Sequence, residues 1–412
     1  MRSSCLLPNL TVLEWHDFSC HIPIIFTHQL LTPTLVSLNA TLAEADGATL
    51  LSFFQNLPFL CSSLKSIRFF LSAPSGPSST TIEALSRTIC NQKSLEEVIL
   101  HTPIDDIALG YLSTLSTLKA LTLSDVTRSR LRTRSFLPQG PLFCSLETLE
   151  FEASDLDLVT SLLRACDQKF HAFRLCYGDM LTSKAVVALL NLLASRSRTK
   201  PILDFTLVNG DACSALQRAD TAPRYHLSYK TIQPLMIFGS LRSFMIEWNE
   251  QMSLDDDEIA NLARNWPLLQ DFALYCSSGP FPTKYPTLRG LLALVTFCPQ
   301  LRMVSLPLDA RQVPDVEARE CMVSFDTITL PESPIYQALP VAEFLFKHLP
   351  CVRVVEAMFL DLQETDLAQV AYEERWRQVE EHLEEFRRSL PDSGSAELGS
   401  VDEVMDIDFD GY

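Results

Sequence analysis

Along this chain apolar residues recur in one arrangement, at positions i, i+3 and i+5, with mostly polar or small residues around them. The pattern occurs at Leu10-Leu13-Trp15, Leu35-Leu38-Ala40, Leu64-Ile67-Phe69, Leu95-Val98-Leu100, Leu118-Leu121-Leu123 and Leu146-Leu149-Phe151. It continues at Phe170-Phe173-Leu175, Ile202-Phe205-Leu207, Leu241-Phe244-Ile246, Leu269-Phe272-Leu274, Leu301-Val304-Leu306, Phe325-Ile328-Leu330 and Val352-Val355-Ala357. These are thirteen copies, with starts 23 to 39 residues apart and a mean interval of 28.5. Side chains alternate along a strand, so i+3 and i+5 share one face while residue i enters the same core from the preceding turn.

Between the strands the apolar period becomes helical. Ser78-Ser79-Thr80-Thr81, Ser154-Asp155-Leu156-Asp157 and Ser253-Leu254-Asp255-Asp256 place capping residues ahead of apolar positions three and four apart, such as Ile82, Leu85, Ile89 and Leu158, Leu162, Leu163. One strand and one helix in about 28 residues cannot bury their own apolar faces, but stacked copies can. The expected fold is an α/β leucine-rich-repeat (LRR) solenoid of about thirteen irregular strand–helix repeats over residues 1–360. An ordinary parallel α/β sheet would give longer strands and fewer units. The ladder Asn of the regular repeat, at i+8, is present once, at Asn249, and the stretch 210–230 is expected to bulge as a loop.

Two segments follow the array. Residues 361–390 read as a long helix with Tyr372, Trp376, Val379, Leu383, Phe386 and Leu390 on one stripe. That stripe either covers the open end of the last repeat or forms a dimerising coil. Residues 391–412 hold seven acidic residues and no basic one, and read as a disordered acidic tail.

The whole chain of 412 residues is 47% apolar, with 51 Asp+Glu against 33 Lys+Arg. A net charge of −18 argues against nucleic acid as a general partner, because phosphates need a positive surface. No apolar run reaches the ~18 residues of a membrane span, and the longest, Gly290 to Phe297, reads as core. Met1 to Pro8 has no secretory core, so the twelve cysteines are expected as reduced thiols in cytoplasm or nucleus.

Chemistry-bearing motifs are few. There is no P-loop, Rossmann glycine fingerprint, G-x-S-x-G elbow or H-E-x-x-H, and the chain reads as a non-enzyme without cofactor. His16, Cys20 and His21 lack a matching second pair for zinc. Asp255-Asp256-Asp257-Glu258 reads as a helix start, where carboxylates favour the dipole, rather than as a cation site. Asp125 and Asp155 have no base–nucleophile pair near them in sequence. The candidate site is instead the sheet face turned away from the core, at i+2, i+4 and i+6. There stand Glu14, Glu97, Glu150, Glu152, Asp204, Glu247, Asp271 and Glu356, against Arg68 and Arg174, with His101 and the aromatics Phe70 and Tyr275. Eight carboxylates against two guanidiniums would steer a basic segment of a partner protein to this concave face.

The C-terminal third carries a more particular order. Cys298-Pro299-Gln300-Leu301-Arg302 is followed by Phe325 to Leu330, Ser333-Pro334-Ile335, Val341-Ala342-Glu343-Phe344-Leu345, Leu349-Pro350-Cys351-Val352-Arg353 and Arg375-Trp376-Arg377. This order resembles the F-box/LRR proteins abundant in mushroom-forming fungi, over most of residues 5–390. The resemblance implies the substrate-recognition part of a ubiquitin-ligase adaptor. Members usually open with an F-box, whereas this chain starts within its first repeat. A Skp-type partner is therefore expected only with an F-box upstream, and the alternative is a free-standing LRR scaffold with no ligase role.

Overall fold

The computed structural model describes residues 6–17, 29–43, 47–72, 77–124, 142–153, 156–166, 170–177, 181–196, 201–209, 226–248, 252–276, 284–317, 323, 325–357 and 367–389. Every apolar triplet becomes a strand. The thirteen are Val12–Asp17, Ser37–Ala43, Ser66–Ser72, Glu97–His101, Ala120–Leu123, Thr148–Glu152, Ala172–Tyr177, Asp204–Asn209, Ser243–Trp248, Asp271–Cys276, Met303–Ser305, Thr327–Thr329 and Val354–Glu356. They form one sheet in which each is parallel to the next in sequence.

Register follows the triplets. The i+3 residues pair in one unbroken line from Leu13, Leu38 and Ile67 through Phe173, Phe205, Phe244 and Phe272 to Ile328 and Val355. All of these are buried, together with every first-position residue after Leu10. A second line runs along the start of the strands. The amides of Glu96 and Glu97 both donate to the Lys65 carbonyl, those of Lys119 and Ala120 to Glu96, and those of Arg242 and Ser243 to Leu203. This shared acceptor recurs from Thr11 to Gln270 and again at Asp326, tying successive strand entries together. Asn249 lies outside the described residues.

Helices return the chain between strands, all on the buried face. They include Ser79–Cys90, Asp106–Thr114, Leu156–Ala165, Ser183–Arg196, Asp256–Asn265, Leu288–Phe297 and Ala338–His348. Ser78 caps the first of these by accepting from Thr81 N at 3.2 Å. At Asp256–Asn265 the box is complete: Asp255 accepts from Glu258 N at 2.8 Å and the Glu258 carboxylate accepts from Asp255 N at 3.0 Å. With short strands, near-even units and one-sided helices, the fold is an α/β leucine-rich-repeat solenoid.

The structure bears on three further expectations. The stretch expected to bulge ends in order: Leu227–Ser228 pairs with Met252–Ser253, and a helical turn, Tyr229–Ile232, follows. Residues 210–225 lie outside the described part. Between Met303–Ser305 and Thr327–Thr329 the described residues hold no helix. The C-terminal helix is Leu367–Ser389, and Trp376, Val379 and Leu383 are buried against the last repeat of their own chain. The middle of the stripe thereby covers the last repeat. Residues 361–366 and 390–412 lie outside the described part.

Candidate functional site

The face opposite the helices is lined by three rows, set by position in the triplet. The i+4 row places Arg68 beside Ile99, and Glu150 beside Arg174. The i+6 row places Phe70 beside His101 and Glu247 beside Tyr275, and the i+2 row runs Asp204, Ser243, Asp271. All ten candidate residues, Arg68, Phe70, Glu97, His101, Glu150, Glu152, Arg174, Glu247, Asp271 and Tyr275, therefore share one sheet face across eight consecutive strands. At strand spacings of about 4.8 Å this is a surface some 34 Å long.

Its N-terminal half is mixed in charge and locally tied. Phe70, 44% exposed, lies with its ring centroid 5.9 Å from that of His101. His101 Nδ1 is 2.9 Å from the Ser124 hydroxyl. Burial lowers the His101 pKa, Arg68 lowers it further, and Glu152 and Glu150 oppose them. Ser66 donates to the Glu97 carboxylate at 2.6 Å, and Arg174 stands 3.8 Å from Glu150. The Ser124–His101 contact has the form of a nucleophile–base pair, but Ser124 is buried and no carboxylate hydrogen-bonds the imidazole among the described residues. It orients the ring and nothing more follows from it.

The next three strands each carry one outward carboxylate and no outward base. Burial raises the Glu247 carboxyl. It also raises Asp204, against the pull of His171 and Arg242. Asp271 is raised by burial and by Asp204, against Arg302. None of the three makes an ion pair among the described residues. Asp204 and Asp271 stand on either side of Ser243, about 9.6 Å apart by strand spacing.

Further on the face closes. Ala273 and Ser305 occupy outward i+4 positions yet are fully buried, and Pro307 and Pro331 at i+6 are buried as well. The outward rows thus give the direction of a side chain without giving its access to solvent. Sequence reasoning also missed Ser124, although the same count of six from Leu118 reaches it. Elsewhere the other candidates resolve structurally. Asp255 and Glu258 bind Lys284 at 2.6 and 3.2 Å, and Asp256 accepts from Thr287 N, Thr287 Oγ1 and Gly290 N at 2.6 to 2.9 Å. His16 Nδ1 lies 3.2 Å from Thr41 Oγ1, while Cys20, His21, Asp125 and Asp155 fall outside the described residues. Cys90, Cys298 and Cys351 are free thiols, and burial pushes Cys298 up to about 12, as suits a cysteine acting as a small hydrophobe.

Fold and face together define a leucine-rich-repeat solenoid with a predominantly acidic open sheet surface. No helix among the described residues is long and apolar enough to cross a membrane. Comparison with protein-family models finds no match, and comparison with curated proteins finds none. Among solved structures the chain is similar to "Crystal structure of TLR13-ssRNA13 complex", with 14% identity and a TM-score of 0.40. The similarity covers 86% of this chain and 44% of that one, so this chain spans less than half the neighbour's length.

Proposed function

We propose that the chain is a non-catalytic recognition scaffold whose open sheet face binds a basic segment of another protein. The observation that carries this reading is the trio Asp204, Glu247 and Asp271, three half-buried carboxyls raised by burial that make no direct ion pair among the described residues. Half-buried carboxylates without a direct ion pair accept a lysine or arginine from outside at a gain, and repel phosphates. Phe70 toward the N-terminal end of the face and Tyr275 beside Glu247 supply aromatic anchors, the residue type that most often carries binding energy. The ten-residue face of Arg68, Phe70, Glu97, His101, Glu150, Glu152, Arg174, Glu247, Asp271 and Tyr275 is the partner-binding site in this reading.

The finer reading follows from the resemblance: the partner is a substrate delivered for ubiquitination, and the chain is the recognition part of an F-box adaptor of cytoplasm or nucleus. The order of motifs from Cys298 to Arg377 supports it. Its test is the coding sequence immediately upstream of Met1, where an in-frame F-box would favour the adaptor and its lack would favour a free-standing scaffold. The binding reading is tested by reversing Glu97, Glu150 and Glu152 to Lys and comparing the partners captured by mutant and wild type. Folded mutant protein should lose the partners whose capture weakens with salt. Retention of the same partners at the same salt sensitivity would remove the open face from consideration.

A further inference from the structure

Within the open face the strand Ser243–Trp248 holds a particular place. Its outward side chains are Ser243, Met245 and Glu247, and its neighbours divide them into three levels. Asp204 and Asp271 stand on either side of Ser243, Thr206 stands beside Met245, and Tyr275 stands beside Glu247. Met245, Thr206, Glu247 and Tyr275 are all half-buried. On the other side of Met245, Ala273 and then Ser305 are fully buried, so at the middle level the open part of the face ends at Met245. The levels are two residues apart, about 6.6 Å, which puts the carboxylates of the first and last about 13 Å apart along the strand.

The two carboxylate levels are not equivalent. Burial raises the Glu247 carboxyl and no base opposes it, whereas His171 and Arg242 pull on Asp204 and Arg302 pulls on Asp271. A cation arriving at Glu247 therefore meets no competing base, and one arriving beside Ser243 shares its carboxylates with the basic strand entries. Between the levels, the unbranched thioether of Met245 adapts to an apolar side chain, and the stem of a lysine or arginine lies along the same surface.

We propose that the strand Ser243–Trp248 seats an extended basic segment of the pattern base–x–apolar–x–base, with one base on Glu247, the apolar side chain on Met245 and the second base between Asp204 and Asp271. This rests on the reading of the open face as a site for a basic segment, and specifies what that segment must present. Alternate residues of an extended chain share one face at the same spacing of about 6.6 Å, so three of them match the three levels. A helix offers every fourth residue about 6 Å apart, but its period turns the third such residue about 80° away from the first. The pattern is symmetric about its apolar residue and fits in either chain direction.

The full-length protein and two end-blocked, labelled peptides of identical composition provide the test, Gly-Lys-Thr-Leu-Thr-Lys-Gly and Gly-Lys-Lys-Leu-Thr-Thr-Gly. Fluorescence anisotropy at low salt should give the first about tenfold higher affinity, because only its lysines reach both carboxylate levels at once. Glu247→Gln should abolish that preference by weakening the first peptide and leaving the second nearly unchanged. Exchanging the leucine of the first peptide for glutamine should weaken it about threefold. That change lies in the peptide, so it stays informative if the protein variant misfolds. Equal affinities for the two peptides would overturn the pattern and leave an acidic face that attracts any base. A preference that survives Glu247→Gln in folded protein would also overturn it, since the lysines would then be held elsewhere. Binding of neither peptide would overturn it together with the reading on which it rests.

Discussion

Phe173, Phe205, Phe244 and Phe272 stack in register, with ring centroids 6.1, 6.1 and 5.5 Å apart. One i+3 position repeated at strand spacing thus becomes a continuous aromatic column, and each ring fills the space its neighbour's repeat leaves. Contact between repeats on the helical side depends on single residues in the same way. A Cβ on Gly290 would come within 2.9 Å of Asp256 Oδ1 and 3.1 Å of Pro286 Cβ. That carboxylate is fixed by three donors of the next helix start and cannot withdraw without losing them. Gly290→Ala should therefore destabilise by about 1–3 kcal/mol, overpacking outweighing the ~1 kcal/mol that alanine gains in a helix. In an Asp256→Ala background the same change should become neutral or stabilising. Chemical denaturation of the four proteins measures the cycle, and additive effects would show that the two residues do not meet.

At the scale of elements, the last strand and helix solve a problem common to all solenoids, an exposed terminal repeat. Leu367–Ser389 lays Trp376, Val379 and Leu383 on the last repeat and its neighbour helix, Ala338–His348. Trp376 Nε1 donates to the Ser333 carbonyl at 2.7 Å, Arg375 donates to the Ile335 carbonyl at 2.9 Å, and the Phe346 and Phe386 rings lie 5.3 Å apart. Glu380 also occupies the Val355 N–H of the outermost strand, which blunts the edge against pairing with another chain. Trp376→Ala should cost about 3–5 kcal/mol, or as much as is needed to detach the helix. A lower melting temperature and faster tryptic cleavage at Arg375 and Arg377 are the expected readouts. An unchanged melting temperature would mean that the helix contributes nothing to the body.

At the scale of the molecule, the acidic stretch of the open face sets stability against recognition. Burial gives Asp204, Glu247 and Asp271 higher pKa values folded than unfolded, so the folded state holds their protons more tightly. Stability from this source is present below the ordinary carboxylate range and is lost as pH rises through the raised folded values. Asp204→Asn with Asp271→Asn should therefore melt above wild type near neutral pH, with the gap closing as pH falls below the ordinary carboxylate range of about 4. A double variant that melts below wild type at neutral pH would mean that the two carboxylates are stabilising in place.

The amino-acid sequence by itself determined the thirteen strands, their order and the face each side chain takes. A strand in this array is specified within six residues and pairs only with its sequential neighbours, so local spacing carries long-range register. Tertiary structure alone decided what meets across repeats of unequal length. It placed Ser124 against His101, and left the described residues between Ser305 and Thr327 without a helix. It also buried Ala273 and Ser305 on the side where alternation points outward. Period fixes a side chain's direction, whereas its neighbours and its access to water depend on how far each intervening loop carries the chain before it returns.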